Sequence, residues 1–342
     1  MSQPKLRAGL VGLGMMGRHH ARILSSLDGV ELVAVVDPGG DVHGVAQGCD
    51  VLNTVGELIE RGVDYAMVAA PTALHSEIGL ELAAAGVHAM IEKPLAVDTP
   101  SAKKLVEAFK NLIGAVGHIE RYNPALQQLR KRLENGELGD VYQITTRRQG
   151  PFPARIADVG VVKDLATHDI DLTAWVARSP YISVSARVGF KSGRTHEDLV
   201  AAVGQLADGT ITNHLVNWLS PFKERLTVVT GERGAFVADT LTADLTFHAN
   251  ASVATEWEAV AAFRGVSEGD LIRYAFAKPE PLLVEHETFR NAVLGIPGAI
   301  ERIVTMEQGL ATVAVAEAMI QSARDGRVIL LEEENNRREK LR

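Results

Sequence analysis

The first third of the chain alternates between short apolar runs and segments in which apolar residues recur at helical spacing. Five such runs lie at 6–11, 31–36, 63–70, 87–91 and 113–117. The runs predict buried strands, and the segments from His75 to Ala85 and from about Thr99 to Asn111 predict helices. Strands that alternate with helices predict a doubly wound parallel sheet, with a ligand crevice at the carboxyl ends of the strands.

The pattern changes near Arg121. Helices are predicted at 124–135 and 162–177, with a strand at 141–148 between them. From 182 to 248 apolar and polar residues alternate, and turn residues separate the runs without intervening helices. Hairpin spacing of this kind predicts an open, largely antiparallel sheet.

The remainder of the chain, from about residue 285, is helical again, with a long periodic segment at 304–323. A chain of 342 residues favours two domains. We therefore predict an α/β protein with a first domain at 1–121 and a second α/β domain at 122–342. The C-terminal helix of the second domain could pack against the first domain.

A glycine-rich turn, G-x-G-x-x-G at 12–17, follows the first apolar run. A helical pattern comes next, and then a second apolar run that ends at Asp37, which is the order that a dinucleotide site requires. Gly12 permits the tight turn, Gly14 lets the backbone approach a pyrophosphate, and Gly17 lets the helix lie close to the strand. The turn alone also fits an ordinary strand-to-helix connection, but the whole series favours a bound dinucleotide.

Asp37 indicates which dinucleotide is bound. It lies 20 residues past Gly17, where a carboxylate accepts both ribose hydroxyls and repels a 2′-phosphate. The next residues, at 38–40, include no arginine that could hold that phosphate. The sequence therefore predicts NAD rather than NADP.

Composition and charge exclude several classes of protein. Hydrophobic residues make up 46% and charged residues 23%, which is typical of a soluble globular protein, and the net charge of −8 argues against nucleic acid as a partner. The only cysteine, Cys49, allows no intrachain disulfide. No apolar run approaches the roughly 20 residues that span a bilayer, and a strand begins within six residues of Met1. These features predict a cytoplasmic protein with no membrane contact.

Lys93 is the first candidate for chemistry, in the triplet Glu92-Lys93-Pro94 after the fourth apolar run. Lysine is rarely buried unless it is paired, so its place at the end of an apolar strand requires an explanation. Its ammonium could donate a hydrogen bond to a substrate oxygen and stabilise a developing alkoxide. The alternative is a solvated lysine at the start of a loop.

Asp164 and His168 are the second candidate pair. On a helix the four-residue spacing places both on one face. A histidine titrates near neutral pH and can take a proton from a hydroxyl, while a neighbouring carboxylate orients the ring or holds the substrate. A capping aspartate beside a surface histidine is the alternative. No third ligand has convincing spacing, so no metal site is predicted.

These features together resemble the Gfo/Idh/MocA oxidoreductases. The resemblance rests on the glycine turn, on Pro71-Thr72 with His75, on the Glu92-Lys93-Pro94 triplet and on Asp164 with His168. It implies an N-terminal Rossmann domain and a second domain whose open sheet often forms the oligomer interface, hence a homodimer or homotetramer. Usual substrates in the family are sugars, cyclitols or their nucleotide derivatives.

The family also implies roles for individual residues. By resemblance Lys93 anchors the reacting hydroxyl, His168 is the general base, and Asp164 holds the substrate or His168. The Lys93–Pro94 bond is often cis in such proteins. The residues expected to bind the cofactor are Gly12, Gly14, Met15, Met16, Gly17, Asp37, Pro71, Thr72, His75, Glu92 and Lys93.

Three stretches, at 117–124, 150–161 and 217–225, resemble the branch that includes UDP-N-acetylglucosamine 3-dehydrogenase, which oxidises the sugar 3-hydroxyl. A diphosphate requires cations, which a net-acidic protein must cluster. The available cations are Arg121, Arg147, Arg148, Arg155, Lys223 and Arg225. The residues predicted to bind substrate are Arg121, Asn123, Arg155 and His168. Capping of the helix that begins at Pro124 is an equal alternative for Asn123.

The sequence thus predicts an NAD-dependent sugar dehydrogenase that acts on CH–OH donors. Its expected reaction is oxidation of a secondary hydroxyl of a sugar or nucleotide sugar, with UDP-N-acetylglucosamine at C3 as the specific candidate. An inositol or other free-polyol dehydrogenase, a non-catalytic NAD-binding regulator, and an enzyme that recycles its cofactor in place are the alternatives.

Overall fold

The computed structural model describes residues 5–46, 48–153, 159–250 and 268–331. The chain forms two compact units, Met1–Ile119 with Pro279–Ala314, and Glu120–Lys278 with Val315–Arg342. The segment Pro279–Ala314 lies in the first unit, whereas the sequence prediction gave 122–342 to the second domain and allowed only its C-terminal helix to pack back on the first. The cause is apolar packing, since Phe289 and Ile303 from this segment enter the core of the first sheet.

The first unit contains a six-stranded parallel sheet. Its strands are β1 (Leu6–Val11), β2 (Val30–Val36), β3 (Asp50–Leu52), β4 (Tyr65–Val68), β5 (His88–Glu92) and β6 (Gly114–Gly117). They lie in the order β3-β2-β1-β4-β5-β6, and every neighbouring pair is parallel. The order reverses direction between β1 and β4, which is the switch point where doubly wound sheets bind ligands. The predicted Rossmann fold is therefore confirmed.

Helices cover both faces of this sheet. They are α1 (Gly17–Ser26), α2 (Val55–Glu60), α3 (His75–Ala84) and α4 (Thr99–Ala108), with a short 3-10 helix at Thr72–Leu74. Alternate strand residues face opposite sides. Val68 and Ile91 pack with Leu82 of α3 on one side, while Met67 and Met90 lie in the core on the other.

The second unit is built on a nine-stranded sheet. Its strands are β7 (Val141–Pro151), β8 (Tyr181–Gly189), β9 (Leu199–Leu206), β10 (Ile211–Asn217), β11 (Leu219–Gly231), β12 (Gly234–Asp239), β13 (Asp244–Asn250), β14 (Glu268–Arg273) and β15 (Ile329–Leu330). The order is β14-β13-β12-β11-β7-β10-β9-β8-β15. Among the strands that the structure describes in this sheet, only β7 and β10 pair in parallel, so the predicted largely antiparallel sheet is confirmed.

Helices pack on one face of the second sheet. The helices of this unit are α5 (Pro124–Glu134) and α6 (Thr167–Ala177). The first unit also contains α7 (Pro281–Val293), a 3-10 helix at Ile300–Arg302 and the residues of α8 (Met306–Asp325) up to Ala314, and a further 3-10 helix lies at Ile119–Tyr122. Ile144 and Phe236 of the sheet pack with Leu126 of α5 and Leu172 of α6. On the other face Val203 is 48% exposed in the single chain.

Candidate active site

The glycine turn after β1 has no room for side chains at two of its three glycines. Gly12 has a φ of +95°, and a Cβ there would lie 2.7 Å from the carbonyl oxygen of Ala69. A Cβ on Gly17 would lie 1.9 Å from the carbonyl oxygen of Gly12. Among the described residues, nothing lies within 4 Å of the position that a Cβ on Gly14 would take. The turn therefore presents bare backbone at Gly14, as close approach of a pyrophosphate requires.

The first turn of α1 follows this backbone directly. Met16 precedes the helix without a side-chain cap, and no acidic residue lies in its first turn. Met15 is 44% exposed and Met16 is half-buried. Uncapped N–H groups at the positive end of a helix can bind phosphate oxygens, and contact of the two methionines with the cofactor stays a prediction.

Asp37 lies just past the end of β2 and braces the glycine turn. Its Oδ2 accepts the N–H of Leu13 at 2.8 Å, and its Oδ1 accepts the N–H of Gly39 at 2.9 Å. An ionised carboxylate has about four lone-pair sites, so both oxygens retain capacity for ribose hydroxyls. The contact with the ribose stays a prediction, and the two hydrogen bonds explain how the carboxylate is held.

The segment after β4 contains an exposed Pro71, a half-buried Thr72 and a buried His75. The ring of His75 lies 2.9 Å from the carbonyl oxygen of Ala70 through Nε2 and 2.9 Å from that of Pro94 through Nδ1. It thereby ties the loops after β4 and β5 together. Burial lowers the pKa of His75 against the effect of the two carbonyl groups, and a neutral ring donates to only one of them. This geometry favours a role for His75 in shaping the crevice over the predicted direct contact with the cofactor.

Lys93 follows β5 at the same edge of the sheet as the glycine turn, and its side chain is half-buried. The peptide bond between Lys93 and Pro94 is cis. The main-chain N–H of Lys93 donates to Oε2 of Glu92 at 3.0 Å. Glu92 itself is buried, and its Oε1 lies 3.0 Å from Nε2 of His20. Both Glu92 oxygens therefore have partners within the chain, although the sequence assigned this residue to the cofactor.

Asp164 and His168 belong to the second unit, where both are half-buried. The predicted continuous helix at 162–177 is in fact a π-helical turn at Val162–Ala166 followed by α6. Asp164 lies in the π-helical turn, and His168 is the second residue of α6. Single π-helical turns are rare and occur frequently at functional sites, which supports the assignment of this segment.

A buried ion network that sequence reasoning missed lies beside His168. Arg148 donates to Glu120 Oε1 and to Asp169 Oδ1, each at 2.8 Å, and Arg225 contacts the same Glu120 oxygen at 3.5 Å. Burial raises the pKa of Glu120, but the charges of Arg148 and Arg225 outweigh it and lower that pKa below its ordinary value. Burial raises the pKa of Asp169 despite Arg148. The network holds Asp169, the residue that follows His168.

The predicted substrate residues differ in their surroundings. Arg121 is buried and pairs with both carboxylate oxygens of Asp171, at 2.8 and 2.6 Å, which favours a structural role over contact with a substrate. Asn123 caps α5 by accepting the N–H of Ala125 at 3.0 Å and donates to the carbonyl oxygen of Thr240 at 3.0 Å. Arg155 lies outside the described residues.

The other candidate cations fall into two groups. Arg147 pairs with Glu224 and Arg148 belongs to the buried network, so their charges are compensated. Lys223 is exposed, and the Arg225 side chain is 39% exposed. Arg225 is thus the candidate that combines access to solvent with a place in the network beside His168.

The described ranges contain no group of three His, Cys, Asp or Glu side chains placed to hold a metal ion. In the same ranges, no helix is both long and apolar enough to cross a membrane.

Comparison with known families accounts for both units. Residues 6–118 match the oxidoreductase family with an NAD-binding Rossmann fold, and residues 126–237 match the Gfo/Idh/MocA C-terminal domain. The chain belongs to the Gfo/Idh/MocA oxidoreductase family. Its first unit is an NAD-binding Rossmann domain, and the bare glycine turn and Asp37 are residues that fit NAD.

Several members of the family are similar to the chain. UDP-N-acetylglucosamine 3-dehydrogenase of Acidithiobacillus ferrooxidans is 31% identical over 213 residues, which are 61% of this chain and 66% of that protein. The scyllo-inositol 2-dehydrogenase (NAD(+)) of Bacillus subtilis is 30% identical over 193 residues, 53% of this chain and 56% of that protein. The matched regions thus span less than two thirds of either relative.

A solved structure is similar over a greater length. The structure of UDP-N-acetylglucosamine 3-dehydrogenase GnnA from Acidithiobacillus ferrooxidans has a TM-score of 0.78 and 25% identity, and it covers 94% of this chain and 98% of that one. The fold is therefore similar over nearly the whole length of both chains.

Proposed function

We propose that the protein is an NAD-dependent dehydrogenase that oxidises a secondary hydroxyl of a sugar or nucleotide sugar. The observation that carries this proposal is that the glycine turn and Lys93 lie at the same edge of the first sheet. The turn follows β1 and Lys93 follows β5, with only β4 between these strands. A cation at this edge lies beside the reactive end of a dinucleotide whose pyrophosphate is held by the turn.

The proposed reaction divides the two hydrogens of the carbinol between two acceptors. His168 takes the hydroxyl proton, and the ammonium of Lys93 donates a hydrogen bond to the oxygen as negative charge develops on it. Asp164 orients His168 or holds a neighbouring hydroxyl. When bound, NAD supplies the acceptor for the hydride from carbon, so that the products are a ketone, NADH and a protonated base.

UDP-N-acetylglucosamine, oxidised at C3, is the specific substrate that we propose. Similarity to the Acidithiobacillus enzyme along nearly the whole chain supports it. Arg225, which is 39% exposed beside the buried network, is an available cation for a diphosphate. A free cyclitol is the second candidate, and the 30% identity with the inositol dehydrogenase of Bacillus subtilis favours it.

The test is NADH formation by the purified protein with UDP-sugars and with free polyols. Lys93→Ala and His168→Ala should each lower kcat by about 100-fold or more while NAD still binds. Lys110→Ala is the matched control, because Lys110 is exposed and lies just after α4 in the first unit. Full turnover by either site variant would contradict the mechanism. Absence of turnover across the panel, with tight NAD binding, would favour the regulatory alternative.

We also propose a homodimer or homotetramer formed through the outer face of the second sheet. Val203 and Ile211 lie on that face and are 48% and 41% exposed in the single chain. Burial of these exposed apolar side chains against a second copy would stabilise the oligomer. Val203→Glu should lower the molecular mass measured by light scattering to that of a monomer, while Val42→Glu, at an exposed position in the first unit, should not.

A further inference from the structure

A chain of three buried polar side chains lies behind Lys93, in the first unit. Nε2 of His286, on α7, lies 2.8 Å from Nδ1 of His20, on α1. Nε2 of the same His20 ring lies 3.0 Å from Oε1 of Glu92, whose Oε2 accepts the main-chain N–H of Lys93 at 3.0 Å. The exposed fractions are 1% for His286, 0% for His20 and 7% for Glu92. These three hydrogen-bonded side chains connect α7 and α1 to the end of β5, which Lys93 follows.

The direction of the hydrogen bonds follows from the charge of Glu92. Burial raises the pKa of this carboxyl, but the hydrogen bond and charge of His20, with Lys93 and His75 nearby, outweigh burial and lower the pKa below its ordinary value. An ionised carboxylate only accepts hydrogen bonds. Nε2 of His20 therefore carries a proton and donates it toward Glu92, whichever charge the His20 ring has.

His286 is suited to support His20 in both of its protonation states. Burial, with His20 beside it, lowers the pKa of His286 well below its ordinary value, so its ring is neutral. A neutral imidazole is a donor at one nitrogen and an acceptor at the other. It can donate to a neutral His20 or accept from a protonated one. Within the part of the chain that the structure describes, Nδ1 of His286 has no hydrogen-bond partner, so its polar contact is the one with His20.

The strand next to β5 leaves room for this arrangement. A Cβ on Gly117 of β6 would lie 3.3 Å from Cδ of Glu92 and 3.4 Å from its Oε1. A side chain at this position would press on the carboxylate. The carboxylate is therefore enclosed by α1, β6 and the main chain of Lys93.

We propose that His20 and His286 are positioning residues for Lys93 and act through Glu92. The two rings hold Glu92 as a fixed anion, and the anion holds the main-chain N–H of Lys93. The direction in which the Lys93 side chain leaves the strand is fixed in this way. The proposal rests on the proposed catalytic role of Lys93, and it assigns Glu92 to the support of that lysine rather than to the cofactor.

Two substitutions at one position separate the hydrogen bond from general packing. In His20→Leu, Glu92 loses the donor to its Oε1 and keeps only the main-chain N–H of Lys93 at Oε2. The pKa that burial raises is then no longer lowered by His20, so the carboxyl takes up a proton at higher pH. In His20→Gln, the amide Nε2 can replace the ring Nε2 as donor to Glu92. His286→Leu and His286→Gln form the same contrast one step further back.

The measurement is the pH profile of kcat and of the KM for substrate, with NAD affinity determined separately. We expect His20→Leu to lower kcat by about 100-fold, because a misplacement of about 1 Å at a reacting group costs this much. We also expect its acid limb to move to higher pH, and NAD affinity to change by less than about 3-fold. His20→Gln should retain most of kcat and the limb of the wild type. A wild-type profile in His20→Leu, or equal loss in both variants, would overturn the proposal.

A second readout does not depend on turnover. The resonance of the Glu92 carboxyl carbon reports its protonation, and its midpoint should rise in His20→Leu and stay low in His20→Gln. If the midpoint does not move in His20→Leu, the positioning proposal is wrong. If the midpoint moves as expected but Lys93→Ala retains full activity, the proposed catalytic role of Lys93 is wrong. The proposed role of His20 and His286 in positioning that residue is then wrong as well.

Discussion

Replacement of Asp37 by alanine tests how the first unit selects its dinucleotide. The carboxylate accepts the N–H groups of Leu13 and Gly39 at 2.8 and 2.9 Å and keeps lone pairs for the two ribose hydroxyls. A hydrogen bond to a charged group contributes about 1.5–3 kcal/mol. Loss of two such bonds to the ribose should raise the Kd for NAD by about 100-fold or more.

The same substitution should make NADP a better ligand relative to NAD. The anionic carboxylate repels a 2′-phosphate, and Asp37→Ala removes this repulsion, so the ratio of the two affinities should move toward NADP. Part of the loss of NAD affinity will come from the turn itself, because the buried Leu13 N–H loses its acceptor at a cost of about 1–3 kcal/mol.

Asp41 provides a matched control for that local effect. Its carboxylate also accepts two main-chain N–H groups, from Val45 at 2.8 Å and Ala46 at 2.7 Å, but it lies outside the glycine motif. Calorimetric titration of both variants with NAD and NADP separates selectivity from stability. Asp37 does not select the dinucleotide if Asp37→Ala keeps the NAD preference of the wild type, or if Asp41→Ala shifts that preference equally.

Three further results are expected from the geometry. Gly17→Ala, whose Cβ would lie 1.9 Å from a carbonyl oxygen, should lower Tm and NAD affinity together, whereas Gly14→Ala, with open space around its Cβ, should lower NAD affinity alone. Arg148→Met should lower the free energy of unfolding in urea by about 3–5 kcal/mol, because it removes the cation that pairs with two buried carboxylates, of which Glu120 keeps only the longer contact with Arg225 at 3.5 Å. Burial lowers the pKa of His214 from 6.5 to about 4. Between these two pH values the histidine is protonated in the unfolded state and neutral in the folded state. The stability that is present above pH 6.5 is therefore lost as pH falls toward 4, by about 3 kcal/mol, and His214→Gln should flatten that part of the urea-unfolding profile.

The long regular elements could be predicted from the sequence because their signals are local. β1 occupies Leu6–Val11 as the apolar run indicates, and α5 begins at Pro124 after its Asn123 cap. The short β3 and α2 were not predicted. β3 has only three residues, none of them buried, so it has no apolar run. α2 does have a local signal, the capping box of Thr54 and Glu57.

The site was harder to predict because its decisive contacts join distant parts of the chain. His20 and His286 are 266 residues apart, and Arg121 and Asp171 are 50 apart, so no spacing rule connects them. The π-helical turn that contains Asp164 has the apolar periodicity of an ordinary helix. The sequence also does not indicate which group an arginine pairs with. Arg121 was therefore predicted to bind a substrate, although it pairs with the buried carboxylate of Asp171.

The most direct test of the proposed reaction is a crystal structure of the protein with NAD and UDP-N-acetylglucosamine. We expect the Lys93 ammonium and one ring nitrogen of His168 to lie about 2.6–3.2 Å from the same hydroxyl oxygen, with the carbon of that hydroxyl facing the nicotinamide. The reaction proposed for this protein is contradicted if the sugar binds with either side chain directed away from that oxygen.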